Sequence, residues 1–394
     1  MISEINNTPK ALRLHIGVFG RTNAGKSTLI NSISGQKIAI TSPIAGTTTD
    51  PVFKPMEIIP IGPVVFIDTA GLDDKSELGE IRTRKSFEQL SSCDAVILVV
   101  SALNSDFSEE IKYIDKFKKE NLPIIIIVNT FGNKIDKEKY TSFSNEIIFS
   151  NLESDDITPI KSKLIKTLQS SEKEPELTSD LVKKGDLVIL TAPQDIQAPK
   201  GRLILPEVQV LRDLLDNGAM VMTVTADNIE NAFSSISKKP SLVVTDSQIF
   251  KLVNDKIPKD IPLTAFSLLM AKIKADINLL IKNAKVIDNL KDREEVVILE
   301  SCAHHTQEGD IARVQIPKLL NKYTGKNIKC DVISGQVIVS DLKGYKLAIH
   351  CGGCMVNRKA MLSKQKLFED TGVPMTNFGI AIAFMNGMLE RITY

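Results

Sequence analysis

An apolar strand, Leu14 to Phe19, runs directly into Gly20-Arg21-Thr22-Asn23-Ala24-Gly25-Lys26-Ser27, and Thr28-Leu29-Ile30-Asn31 then opens an apolar-periodic helix. Strand, glycine-rich loop and helix in this order restrict the N-terminal part to an α/β fold, because the loop must bring its N–H groups and a helix N-terminus to one point. There they cradle phosphates. Gly20, Asn23, Ala24, Gly25, Lys26, Ser27 and Thr28 are the expected contacts, with Lys26 on the β and γ phosphates and Ser27 on Mg2+.

Further along, the strand Val64 to Ile67 ends in Asp68-Thr69-Ala70-Gly71. A carboxylate at a strand end suits the magnesium site, and the Gly71 N–H is placed to report the terminal phosphate. Pro43-Ile44-Ala45-Gly46-Thr47-Thr48-Thr49-Asp50 reads as a polar switch loop. Together these segments resemble the GTPases of tRNA modification and ribosome assembly, which implies a Ras-like P-loop GTPase domain. The resemblance implies that Thr48, next to Thr47, is the switch magnesium ligand. It also implies that Asn23 helps to hold a K+ ion that stands in for an arginine finger. Leu72 occupies the place of the water-orienting glutamine, so hydrolysis is expected to be slow and K+-stimulated.

For the base, the resemblance calls for Asn-Lys-x-Asp directly after the strand Pro123 to Val128. The chain has Asn129-Thr130-Phe131-Gly132 there, and Asn133-Lys134-Ile135-Asp136 follows. Asn133, Lys134 and Asp136 on a lengthened loop are the expected guanine readers, Asp136 pairing with the N1 and N2 hydrogens. Asn129 in the usual register is the alternative; it lacks a matching aspartate and would weaken guanine selectivity. Ser150-Asn151-Leu152 takes the place of the loop that backs the base.

The C-terminal part carries a different signal. The apolar stretch Tyr345 to Ile349 ends in His350-Cys351-Gly352-Gly353-Cys354, where both glycines are expected to let two sulfurs face one centre. Val296 to Leu299 ends in Glu300-Ser301-Cys302-Ala303-His304-His305, so three of five cysteines and three of four histidines sit at two strand ends. Such a concentration suits a soft metal. Three thiolates without a fourth favour an iron–sulfur cluster with one iron open or weakly ligated over a closed zinc site. His304, His350, Glu300 or solvent could take the fourth position, and either histidine could instead be a hydrogen-bonding neighbour. Cys93 and Cys330 read as structural.

The chain's 394 residues suffice for three domains. A GTPase domain is expected over 1–170, and a polar linker runs from Ser170 to Ser179. A small α/β assembly or dimerisation domain is expected over 180–266, with Asp195 and Asp213 as surface charges and Met220, Met222 and Met270 in its core. An α/β cluster-binding domain is expected over 271–394. The odd number of cysteines argues for reduced thiols, and no apolar run is long enough to span a membrane, so the expected location is cytoplasmic. Net charge of +1 speaks against nucleic-acid partners, although an RNA or ribosome-assembly GTPase with a zinc site is the alternative reading.

A P-loop GTPase joined to Cys302-x-His304 and His350-Cys351-x-x-Cys354 resembles the HydF family of FeFe hydrogenase maturation GTPases along essentially the whole chain. The resemblance implies a 4Fe-4S cluster on Cys302, Cys351 and Cys354 with a labile fourth site. It implies a scaffold or carrier that receives a diiron subcluster from radical-SAM maturases and delivers it to apo-hydrogenase.

Overall fold

The computed structural model describes residues 9–35, 52–69, 71, 85–144, 146–169, 175–192, 203–301, 310–335, 342–354 and 356–394. The chain folds as two compact units, Met1–Lys173 and Glu174–Tyr394.

In the first unit, β1 (Leu14–Phe19), α1 (Lys26–Ser34), β2 (Val52–Ile58), β3 (Gly62–Asp68) and β4 (Ala95–Ser101) are followed by α2 (Ser108–Lys119), β5 (Ile124–Asn129), β6 (Ile147–Ser150) and α3 (Thr158–Gln169). The sheet order is β2-β3-β1-β4-β5-β6, parallel except for β2. All seven residues of β4 are buried, as expected of a central strand covered on both faces. On one face Ile16 and Val18 pack with Leu29 of α1 and Leu164 of α3; on the other, Phe19 and Leu98 pack with Ile114 and Phe117 of α2. Parallel pairing leaves Gly20, Asp68, Asn129 and Ser150 at the carboxyl ends of their strands, the edge where α/β sheets bind ligands.

The second unit holds two four-stranded parallel sheets. The first has the order β10-β9-β7-β8, built from β7 (Leu187–Ala192), β8 (Met220–Thr225), β9 (Leu242–Thr245) and β10 (Leu263–Ala265). Its helices are α4 (Leu205–Asp216), α5 (Ile229–Ser235), α6 (Phe250–Lys256) and α7 (Phe266–Lys274). Met222 and Met270 pack inward as expected. Met220 does not: it is 48% exposed, because β8 is an edge strand. Asp213 is not a free surface charge either, since it accepts from the Thr178 N–H at 3.0 Å and so fastens the segment that leads into the unit.

After α8 (Ile277–Ala284), the second sheet has the order β12-β11-β13-β14, from β11 (Glu295–Glu300), β12 (Lys329–Ser334), β13 (Leu347–His350) and β14 (Met375–Asn377). Helices α9 (Ile316–Thr324), α10 (Arg358–Thr371) and α11 (Phe378–Met385) accompany it. The last helix ends before Asn386-Gly387. Apolar residues of both sheets and their helices share one core: Ile189 and Val243 belong to the same cluster as Leu268 of α7, Val297, Ala348 and Ile380. The C-terminal tail reinforces this union, with Thr393 N–H donating to Leu263 O at 2.9 Å. Among the described residues no helix is long and apolar enough to cross a membrane.

Leu268 is fully buried in that shared core. Leu268→Ala is expected to lower the unfolding free energy of the second unit by about 2–5 kcal/mol, read as a lower urea midpoint of the full-length chain. An unchanged midpoint would contradict the shared core.

Candidate functional site

The phosphate loop is held in a narrow geometry. Gly25 has φ 105, and a Cβ there would stand 2.5 Å from Asn129 Nδ2, so the position needs glycine both for its backbone and for space. Lys26 folds back on the loop, donating to Gly20 O and Arg21 O at 2.9 Å each. Thr28 is half-buried in α1, and Ala24 is buried beneath the loop. Asn23 is exposed with φ 58. Gly71 passes so near the loop that a Cβ would come within 2.1 Å of Thr22 Oγ1.

Ser27 Oγ donates to Asp68 Oδ2 at 2.9 Å, bringing together a hydroxyl and a carboxylate, the hard oxygen donors that suit Mg2+. Lys54 of β2, also buried, lies 3.4 Å from the same carboxylate oxygen. Thr47, Thr48 and Leu72 lie outside the described residues.

Sequence reasoning passed over one anchor of this loop. Arg21 forks onto Glu110 of α2, with Nε–Oε1 and Nη2–Oε2 both at 2.9 Å, and Nη2 also reaches Asp106 O at 2.8 Å. Glu110 is 1% exposed. Burial pushes its carboxyl up, while the guanidinium acts to hold it down. An acidic residue in the first turn of an amphipathic helix reads as a solvated charge, which is why the pair escapes a linear reading.

At the expected base site the two asparagines have different surroundings. Asn129, 2% exposed, donates from Nδ2 to Ala24 O at 3.1 Å. Its Oδ1 accepts from the Phe131 and Leu152 N–H groups at 3.3 and 3.4 Å. It therefore ties the phosphate loop to β5 and to the segment after β6. Asn133 is exposed and turns back to Thr130 O at 3.2 Å, because the chain makes a turn beyond Asn129, with Phe131 and Gly132 at positive φ. Lys134 is exposed, and Asp136, also exposed, accepts from Glu138 N–H at 3.1 Å. Buried Ser150 accepts the Thr130 N–H on its carbonyl at 2.9 Å.

In the second unit, β11 and β13 are neighbours in parallel register, Leu299 opposite His350. Cys351 N–H donates to Leu299 O at 2.8 Å, and the Ser301 N–H points back at Cys351 Sγ, 3.3 Å away. Gly353, at φ 59, leaves only 2.3 Å between a built Cβ and Met361 Cε, whereas Gly352 faces open space. The tight turn therefore depends on Gly353, not on both glycines.

His350 is buried at the strand end. The Lys364 Nζ stands 3.2 Å from His350 Nε2, and His350 Nδ1 lies beside Cys351 O. Ser301 Oγ lies 3.1 Å from the same Nε2. Glu300 is engaged by Arg313 at 2.7 Å and by Ser334 Oγ at 3.0 Å. Lys274 Nζ donates to Gly353 O at 2.9 Å and Cys354 O at 3.3 Å. Sequence reading missed Lys274 and Lys364, because lysines on amphipathic helices pass for solvent-facing charges. Cys302 and His304 lie outside the described residues, among which no three His, Cys, Asp or Glu side chains converge.

Burial disfavours the Cys351 thiolate, but hydrogen bonds from the His350 ring and the Ser301 and Gly353 N–H groups outweigh it and bring the thiol down to about 6. Burial pushes Cys93 up to about 12 and Cys330 up to about 11, a neighbouring aspartate adding to each. Because the folded value of Cys351 is depressed, its contribution to stability is present above the unfolded value and lost as pH falls through about 6. In the metal-free chain, iodoacetamide labelling of Cys351, followed by peptide mass spectrometry, is expected to rise with a midpoint near pH 6, with Cys93 unlabelled at neutral pH. A midpoint near the ordinary thiol value would contradict this.

Residues 177–275 match the hydrogen maturase F dimerization domain, residues 278–393 the hydrogen maturase F tetramerization domain, and residues 15–130 the 50S ribosome-binding GTPase domain. GTPase Der of Campylobacter hominis is 30% identical over 182 residues, 43% of this chain and 39% of that protein. The tRNA modification GTPase MnmE of Clostridioides difficile is 32% identical over 151 residues, 37% of this chain and 33% of that protein. The chain thus spans well under half the length of these two relatives. Among solved structures, Aquifex aeolicus Era bound to GDP.AlF4- is 20% identical, covering 54% of this chain and 92% of that chain, with a TM-score of 0.34.

Proposed function

Because the chain belongs to the hydrogen maturase F family, we propose that it is a GTP-hydrolysing scaffold of FeFe hydrogenase maturation, holding a 4Fe-4S cluster on Cys302, Cys351 and Cys354. Its cargo is a diiron precursor, received from radical-SAM maturases and passed to apo-hydrogenase. One observation carries the cluster site: the Ser301 N–H rests on Cys351 Sγ, and the next residue in the chain is Cys302. The donor set fits the group, because a half-buried cysteine whose thiolate is favoured and a second cysteine follow a strand end approached by two lysine ammonium groups. When bound, such a cluster supplies an iron with an exchangeable position. His350 and Glu300 are already engaged by Lys364 and by Arg313, which supports His350 as a neighbour that orients the loop. The parts 180–266 and 271–394 serve assembly and cluster binding respectively.

In the GTPase unit, Lys26 would leave its loop carbonyls for the phosphates, Ser27 and Asp68 would hold Mg2+ with Thr48, and Asn23 would hold K+. Gly71, pressed against Thr22, would couple the terminal phosphate to the switch segment. Ser150 backs the base, and Asn133, Lys134 and Asp136 are offered to guanine, Asp136 as the carboxylate; the alternative reader Asn129 bonds Ala24 O of the phosphate loop. Self-association uses the exposed apolar residues Leu215 and Met220, 52% and 48% exposed on α4 and the edge strand β8.

Anaerobic reconstitution is expected to give a brown protein with about four irons and four sulfides per chain, lost in Cys302→Ser and Cys351→Ser. Zinc without iron would refute the cluster. GTP turnover is expected to be at least about tenfold faster in KCl than in NaCl, and the difference should vanish in Asn23→Ala; equal turnover in the two salts would remove the potassium role. Met220→Lys is expected to yield a smaller particle by light scattering, and an unchanged mass would remove β8 from the interface.

A further inference from the structure

Lys274, buried, and Lys364, half-buried, are cations to which the proposed function gives no role. Lys274 ends α7, within the stretch that matches the dimerization domain, and is 4% exposed. It reaches across to the cysteine loop, bonding Gly353 O and Cys354 O. Lys364 approaches from α10, bonding Ser301 Oγ at 3.3 Å and His350 Nε2 at 3.2 Å. None of these partners is an anion: two carbonyls, a hydroxyl and an imidazole nitrogen. Neither lysine joins a carboxylate among the described residues, although Lys274 is buried and Lys364 half-buried.

A buried ammonium without an anion is costly, and proteins resolve the cost by pairing or by deprotonation. The loop they converge on carries Cys354, whose carbonyl Lys274 binds, and Cys351, whose Sγ takes the N–H of the Ser301 that Lys364 binds, so the anions offered there are sulfur-borne. The two cations arrive from different helices on one short turn, an arrangement that hydrogen bonding to the carbonyls alone would not require, since a neutral donor would serve as well.

We propose that Lys274 and Lys364 are the paired counter-cations of the iron–sulfur group held at Cys351 and Cys354, and that they raise its reduction potential by stabilising its more negative state. This rests on the proposed function, because it presupposes the cluster. It adds that the assembly half of the second unit contributes a charge to the metal site, so a shift of α7 would alter the electrostatics of the cysteine loop.

The test uses the full-length chain reconstituted anaerobically, comparing wild type with Lys274→Gln, Lys364→Gln and the double variant by redox titration followed by electron paramagnetic resonance. Glutamine keeps a hydrogen-bond donor and removes the charge. Each single variant is expected to shift the potential negative and the double variant further, with GTP turnover unchanged as a control of folding. Potentials equal to wild type at full iron content would overturn the proposal. Should a glutamine variant fail to hold iron, retention by the matching arginine variant supports the charge role, and loss in both overturns it. A wild-type chain that binds no iron would instead refute the proposed function itself.

Discussion

The cysteine site depends on one backbone pairing. Parallel register between β11 and β13 sets Leu299 opposite His350, so two strands far apart in sequence end at the same point. Cys351 N–H closes the ladder on Leu299 O, and Ser301 N–H then has a sulfur as its partner. A slip of one residue would turn every side chain of β13 to the other face and carry His350 and the thiol loop away from Ser301. The register is secured by burial on both faces: β13 is buried throughout and β11 over its four central residues.

The first unit applies the same rule with a different outcome. Its parallel strands end together, and what collects at their ends is a hydroxyl and a carboxylate in contact, a lysine folded on carbonyls, and an asparagine that spans loop and strand. Phosphates and divalent cations are served by oxygen and N–H groups, soft metals by sulfur. Two sheet edges built by the same topology are thereby specialised through the residues at the strand ends. Arg21 on Glu110 adds a buried charge pair that ties the phosphate loop to α2.

Much of this could be read along the chain. The phosphate loop, the Asp68 strand end and both cysteine segments appeared as apolar runs stopped by polar residues, a pattern that survives without any knowledge of neighbours. What failed was anything decided by partners. That Asn129 would bond the phosphate-loop carbonyl of Ala24 is one example, invisible in a linear reading. Met220 belongs to an apolar strand, yet the strand is an edge. Lys274 and Lys364 carry a charge that composition assigns to solvent, and only packing reveals them turned onto the cysteine loop and the strand end before it. Cys302 remains, for its part, a position known from sequence alone.

The account turns on sulfur ligands from both strand ends meeting at one polynuclear iron centre. Iron K-edge X-ray absorption on the reconstituted full-length chain tests this most directly. A shell dominated by sulfur, with iron neighbours and a light-atom ligand at the exchangeable position, is the predicted result; a lone metal ion without any metal neighbour would contradict it.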